Sequence, residues 1–240
     1  MNLAVDIGNS SSKLALFKDN EIAALFRIEG APGSKVIELT GTHDLDAIIV
    51  SDVSPRKDEN QSEIISLKIP VHFLSSESRF PFSINYKTPS SLGTDRLASV
   101  AGAYNMWKTH NVLIIDAGTA LTYDFLSSAG EYMGGNISPG LSMRFKALNR
   151  YTGRLPLIYP KADFKLLGDD TESAIRAGVE LGLVFEINEY IRTFDKRYKD
   201  LKVIMTGGDS EVLSGHIKFS FTFEPDLIVE GLNYLLSCNA

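Results

Sequence analysis

Apolar positions along the 240-residue chain fall into short runs separated by polar turns. Leu3 to Ile7 reads as a strand, and Gly8-Asn9-Ser10 turns the chain into a second strand near Lys13 to Lys18. Asp19-Asn20 is a hairpin signal, and Ile22 to Ile28 predicts a third strand after it. Strand-like and helix-like stretches then alternate. Ala47 to Val50 predicts a short buried strand, segment 55–63 leads towards a helix, and Pro70, Pro81 and Pro89 break up a loop-rich region. Asp95 to Trp107 has a helical pattern, whereas Asn111 to Ile115, Leu121 to Leu126 and Val203 to Met205 read as strands. Asp170 to Arg192 is the longest helical pattern in the chain.

The two halves carry a shared local pattern. Val5-Asp6-Ile7-Gly8-Asn9-Ser10 and Ile115-Asp116-Ala117-Gly118-Thr119-Ala120 each put an Asp at the end of an aliphatic strand and a Gly two residues later. Both then re-enter a strand. The offset from Asp6 to Asp116 is 110 positions, close to half the chain, which points to an internal duplication with boundaries at 1–110 and 111–240. Taken singly, Asp-x-Gly is a common turn. Two copies, each after a buried-type strand, point instead to a paired site.

Ala174, Gly178 and Gly182 recur every fourth residue of the long helical pattern and so share one narrow stripe. Glycine within a helix costs ~1 kcal/mol relative to alanine, so such a stripe implies close approach of something else. A partner helix or the chain's own sheet would each satisfy it.

Composition removes several alternatives. With 24 basic and 30 acidic side chains the net charge is −6, which does not suit a broad nucleic-acid or membrane-surface binder. Aliphatic runs such as Val112 to Ile115 stop at four residues, against ~20 for a membrane span. The N-terminus lacks a basic signal region and meets Asp6 at once, so a cytoplasmic, soluble protein is expected. The lone Cys238 excludes an internal disulfide and a cysteine-rich zinc site. The chain contains no Gly-x-Gly and no Gly-Lys, which removes the dinucleotide fingerprint, the kinase glycine-rich loop and the Walker A loop. Its four histidines lack metal-ligand spacing.

The remaining pieces suit phosphate chemistry. Gly8 and Gly118 let backbone N–H groups approach an anion, while Asn9, Ser10 and Thr119 add short polar side chains. Asp6 and Asp116 would repel phosphate directly but could hold a cation that bridges to it. Lys13 could neutralise charge as phosphate moves, although strand lysines more commonly face solvent. Thr206-Gly207-Gly208 offers a flat approach for a base or ribose, or simply a tight strand-to-helix turn. In Gly93-Thr94-Asp95-Arg96, Asp95 suits either helix capping or proton acceptance from a substrate hydroxyl, with Arg96 holding an anionic group.

These motifs, in this order, together with Gly134-Gly135-Asn136-Ile137-Ser138-Pro139-Gly140, Gly168 to Gly178 and Glu224-Pro225-Asp226, resemble type III pantothenate kinase over nearly the whole chain. The resemblance implies an α/β fold of the actin, hexokinase and Hsp70 type (ribonuclease H-like): two duplicated lobes with the active site in the cleft between them. It implies ATP-dependent phosphorylation of pantothenate, magnesium, potassium or ammonium, and a homodimer. Matched residue by residue, it places Asp6, Gly8, Asn9, Ser10 and Lys13 in a first phosphate motif and Gly118 and Thr119 in a second. Asp6 and Asp116 are its cation ligands, and Asp95 is its general base. Tyr86, Gly93, Thr94 and Arg96 fall at the pantothenate site, with Thr171 supplied across the dimer. Thr206, Gly207 and Gly208 fall near adenosine. Thr94 and Leu97 stand where alanine and tryptophan are frequent in the family. A kinase or phosphatase of the same fold acting on another small molecule, and a nucleotide-binding regulatory protein, are the competing readings.

Overall fold

A computed structural model describes residues 1–161 and 165–239. Its first elements are strands β1 (Asn2–Ile7), β2 (Ser11–Lys18) and β3 (Glu21–Glu29), helix α1 (Gly33–Thr42), β4 (Ala47–Asp52), α2 (Lys57–Ile65), β5 (Val71–Phe73), β6 (Ser83–Ile84) and α3 (Thr94–Met106). There follow β7 (Val112–Ala117), β8 (Ala120–Leu126), β9 (Glu131–Pro139), α4 (Leu141–Tyr151), α5 (Thr171–Arg176), α6 (Gly182–Arg197), β10 (Lys202–Thr206), α7 (Ser210–Ser214), β11 (Thr222–Phe223) and α8 (Leu227–Asn239). No helix among the described residues is long and apolar enough to cross a membrane.

The chain divides into two compact units, the first comprising Met1–Lys108, Ala129–Met133 and Asp226–Ala240, the second Thr109–Ser128 and Gly134–Pro225. The chain first passes from one unit to the other at 108/109 and returns briefly at 129–133. The first unit also takes α8, however, because α8 packs on α3. A Cβ on Gly102 of α3 would lie 2.6 Å from the carbonyl oxygen of Leu227, and one on Gly231 of α8 would collide with the carbonyl of Ala98. Glycine on both faces is what lets the two backbones come this close.

In the first unit the strand order is β3-β2-β1-β4-β5. β2 runs antiparallel to β1 and to β3, whereas β4 is parallel to β1 and to β5. Asp19 and Asn20 both take positive φ (51° and 67°) between β2 and β3, the left-handed pair that a two-residue hairpin requires. Leu3, Val5 and Ile7 of β1 pack with Val36 and Leu39 of α1 and Ile64 of α2. Strand alternation turns Asn2, Ala4 and Asp6 to the opposite face, where Asn2 hydrogen-bonds Asn233 of α8.

The second unit repeats this plan. Its central strand β7 has antiparallel β8 on one side, followed by β9, and parallel β10 on the other, followed by β11. Leu113, Ile115 and Ala117 of β7 pack with Leu183, Val184, Ile187 and Ile191 of α6 and Leu213 of α7. The helix expected over 170–192 is not uniform: α5 passes through a π-helical turn, Ala177–Leu181, into α6, which ends at Arg197.

Candidate active site

In the first unit, β1 ends in a three-residue tip, Gly8-Asn9-Ser10, closed by a 3.0 Å hydrogen bond from the Gly8 N–H to the Ser11 carbonyl. Asn9 and Ser10 are exposed and Asp6 is half-buried. One row of the sheet holds Lys13, Asp6 and Ser51, because Asp6 pairs with Lys13 on β2 and with Ser51 on β4. The Ser51 hydroxyl lies 2.9 Å from the Thr94 hydroxyl at the start of α3, and both side chains are buried. That contact brings the Gly93-Thr94-Asp95-Arg96 motif to the same end of the sheet as Asp6. Lys13 is not solvent-facing: its ammonium lies 3.2 Å from the carboxylate of Asp226, just before α8.

Asp95 occupies the first turn of α3, where helix N–H groups favour negative charge. Its Oδ1 accepts from the Arg96 N–H at 2.7 Å. The carboxylate folds back over Gly93, where any Cβ would collide with it, so glycine at 93 is what permits this orientation. Arg96 is buried. Tyr86 is half-buried and its ring stacks on that of Tyr132 at a centroid separation of 6.5 Å.

The second unit holds the matching tip, Gly118-Thr119, one residue shorter, with the Gly118 N–H donating to the Ala120 carbonyl at 3.0 Å. Asp116 pairs across the sheet with Thr206 of β10, as Asp6 pairs with Ser51. Gly207 has φ +91°, and a Cβ on it would sit 2.5 Å from the Ala117 carbonyl oxygen. Only glycine fits there, so Thr206-Gly207-Gly208 packs directly on the Asp116 tip. The Asp209 N–H donates to the Ala117 carbonyl at 2.8 Å. The Asp209 carboxyl is pushed up by burial and drawn partly back by the Leu141 N–H. Thr171 opens α5, exposed beside the N-cap Asp170, whose carboxyl is held low by the Ser173 N–H. In the same unit, Ile175 of α5 packs with Leu141, Phe145 and Ile158.

The structure therefore groups Asp6, Gly8, Asn9, Ser10, Lys13, Gly93, Thr94, Asp95 and Arg96 in one unit and Asp116, Gly118, Thr119, Thr206, Gly207 and Gly208 in the other. Ser51 and Asp209 join these groups without a sequence signal of their own. Ser51 and Thr206 share a place beside the strand-end Asp, a correspondence visible only once strand order is known.

The family model for type III pantothenate kinase matches residues 2–193. The chain is 41% identical over 239 residues to the type III pantothenate kinase of Phocaeicola vulgatus, covering 100% of this chain and 99% of that one. Among solved structures, a Campylobacter jejuni protein described as a conserved Baf family transcriptional activator superposes with a TM-score of 0.64 at 22% identity, covering 99% and 98% of the two chains. A ROK family glucokinase from Streptomyces griseus, solved with glucose and AMPPNP, gives 0.55 at 12% identity, covering 99% and 98%. At these identities the structural likenesses establish the fold alone, which is that of the actin and hexokinase type.

Proposed function

The chain belongs to the type III pantothenate kinase family, and from that membership we propose how its residues transfer phosphate from ATP to pantothenate, the step that opens coenzyme A biosynthesis. Family membership favours pantothenate over other small-molecule acceptors and an enzyme over a regulatory nucleotide binder. The observation that carries the residue assignment is the Ser51–Thr94 hydrogen bond, which sets Asp95 at the same sheet end as the Asp6 tip.

Asp95 is the general base in this reading. It accepts the pantothenate hydroxyl proton as the oxygen attacks phosphorus, and proton loss can come late, so a carboxylate of ordinary basicity suffices. Arg96 and Tyr86, with Gly93 and Thr94, hold the acceptor. The Gly8-Asn9-Ser10 and Gly118-Thr119 tips bind ATP phosphates through backbone N–H groups and short polar side chains. Lys13, oriented by Asp226, offsets phosphate charge. Thr206, Gly207 and Gly208 lie against adenosine.

The donor set fits magnesium. Asp6 and Asp116, one in each unit, offer hard carboxylate oxygens of the kind magnesium takes. Magnesium keeps several waters and binds through one or two carboxylates plus phosphate, so a strand-end Asp with a phosphate oxygen would suffice. When bound it would neutralise phosphate oxygens. Asp116, with the carbonyl groups of its tip, also suits a monovalent cation, potassium or ammonium.

A homodimer is part of the proposal. Among the described residues, nothing apart from their own helix and chain neighbours lies within 4 Å of a Cβ position at Gly178 or Gly182, so the described part of the sheet does not account for glycine there. Ile137, Tyr159, Leu166, Leu167 and Phe185 are large apolar side chains that stay exposed on the same unit. Apolar side chains left exposed in this way are ones a second copy would cover. Exposed Thr171 would then reach the partner's pantothenate. The reaction is assigned to the cytoplasm, where ATP is supplied.

The test is ADP release coupled to NADH oxidation, with and without pantothenate, in potassium, ammonium or sodium. Pantothenate-dependent release with magnesium, faster in potassium or ammonium than in sodium, is expected. ADP release that ignores pantothenate would overturn the acceptor, and equal rates in the three salts would remove the monovalent site.

A further inference from the structure

The Asp116–Thr119 tip rests on residue 140. A Cβ on Gly140 would collide with the carbonyl oxygens of Gly118 and Thr119 and lie 2.9 Å from the Thr119 carbonyl carbon. Backbone position at 140 therefore limits where the tip can sit. Arg144, one turn into α4, holds that position. Its Nε donates to the Pro139 carbonyl at 2.8 Å, and its Nη2 donates to the Ser138 hydroxyl at 2.9 Å. Its backbone N–H donates to the Gly140 carbonyl at 3.1 Å.

The same guanidinium forms an ion pair with Glu186 of α6, with only 20% and 24% of the two side chains exposed. The other Glu186 oxygen accepts from the Tyr123 hydroxyl at 3.2 Å. Tyr123 lies on β8, the strand that leaves the tip, and stacks on Tyr190 of α6 at 3.9 Å between ring centroids. Burial, reinforced by the Glu186 carboxylate, pushes the Tyr123 hydroxyl up, so it stays a donor. The contacts close a ring: tip, Tyr123, Glu186, Arg144, Ser138 and Pro139, Gly140, and the tip again.

We propose that Arg144 and Glu186 are positioning residues for the ATP phosphates, acting through Gly140 on the Gly118-Thr119 tip. The inference rests on the phosphate reading of that tip. Arginine suits the role because a planar fork can serve a carbonyl, a hydroxyl and a carboxylate together, which a single ammonium on a flexible stem does not. Removing either partner leaves a partly buried charge without its counter-ion and frees the end of β9 and Gly140. Hydrogen bonds weaken steeply as alignment is lost, so a small drift of the tip N–H groups weakens phosphate binding.

The experiment compares Arg144→Met, Arg144→Lys and Glu186→Gln in the full chain. It reads calorimetric affinity for a non-hydrolysable ATP analogue, KM for ATP and for pantothenate, and thermal unfolding. Arg144→Met should weaken the analogue and raise KM for ATP by about tenfold, while KM for pantothenate stays within about twofold. Glu186→Gln should move the same way by less, and Arg144→Lys should recover part of the loss. A folded Arg144→Met with unchanged analogue affinity, or with both KM values rising together, overturns the proposal. Should Arg144→Met fail to fold, Glu186→Gln decides by the same two criteria. A wild-type protein that binds the analogue but ignores pantothenate would defeat the kinase reading, while the affinity comparison still judges the positioning pair.

Discussion

Gly102→Ala probes the packing that sets α3 in place. A Cβ at 102 would lie 2.6 Å from the Leu227 carbonyl oxygen and 2.8 Å from Leu227 Cδ1. The methyl group can rotate away. The carbonyl belongs to the first turn of α8 and cannot, so α8 must withdraw by roughly half an ångström or more to restore ordinary van der Waals separation. Replacing glycine in a helix by alanine gains ~1 kcal/mol from backbone entropy. Overpacking a buried contact costs ~1–3 kcal/mol. Because the obstacle is backbone on the facing helix, we expect the upper part of that range and a net loss of ~1–2 kcal/mol, or a fall in Tm of roughly 2–8 °C. Gly41→Ala in α1 is the control: among the described residues nothing lies within 4 Å of its Cβ position outside its own helix and neighbours. The identical chemical change there should stabilise by ~0.5–1 kcal/mol. Urea unfolding followed by circular dichroism reads both variants, and turnover should also fall in Gly102→Ala because α3 carries Asp95. The reasoning fails if Gly102→Ala is as stable as the parent, or gains as much as Gly41→Ala.

Three further outcomes follow from the geometry. Asp95→Asn should lower kcat by ~10²–10⁴-fold with affinity for an ATP analogue nearly unchanged; near-normal turnover would remove Asp95 as base. Gly178→Leu should shift sedimentation from dimer towards monomer without loss of fold, since among the described residues nothing beyond its own helix and chain neighbours lies within 4 Å of a Cβ there; an unchanged dimer boundary would place the interface elsewhere. Glu180 is fully buried in the π-helical turn, with Oε1 accepting from the Lys161 N–H and Oε2 without a partner among the described residues, and burial raises its carboxyl pKa. A raised folded-state pKa favours the neutral acid, so its contribution is present at low pH and lost as pH rises through that value. Glu180→Gln should therefore be more stable than the parent at pH 8 and similar at pH 4, measured by Tm; a gap that does not change with pH would contradict this.

Much of the site was legible because it is local. Asp-x-Gly after an aliphatic run predicts a strand-end carboxylate beside an open backbone turn, and that is how β1 and β7 end. Gly93-Thr94-Asp95-Arg96 predicts a helix start with its acid in the first turn, as found. What sequence spacing could not show is non-local. Ser51 has no glycine or motif around it, and its place beside Asp6 depends on β4 pairing parallel to β1. Asp226 meets Lys13 across 213 positions of chain.

The sequence by itself determined the period of the strands, the two tips and the family, because each depends on residues a few positions apart or on an ordered set of such motifs. Tertiary structure alone decided that α8 belongs with the first unit, that glycines at 102, 140, 207 and 231 face backbone, and that Arg144 reaches both Glu186 and the end of β9. Those outcomes depend on which surfaces come within van der Waals distance. A helix pattern tells that one face is apolar; only the packed chain tells what that face meets.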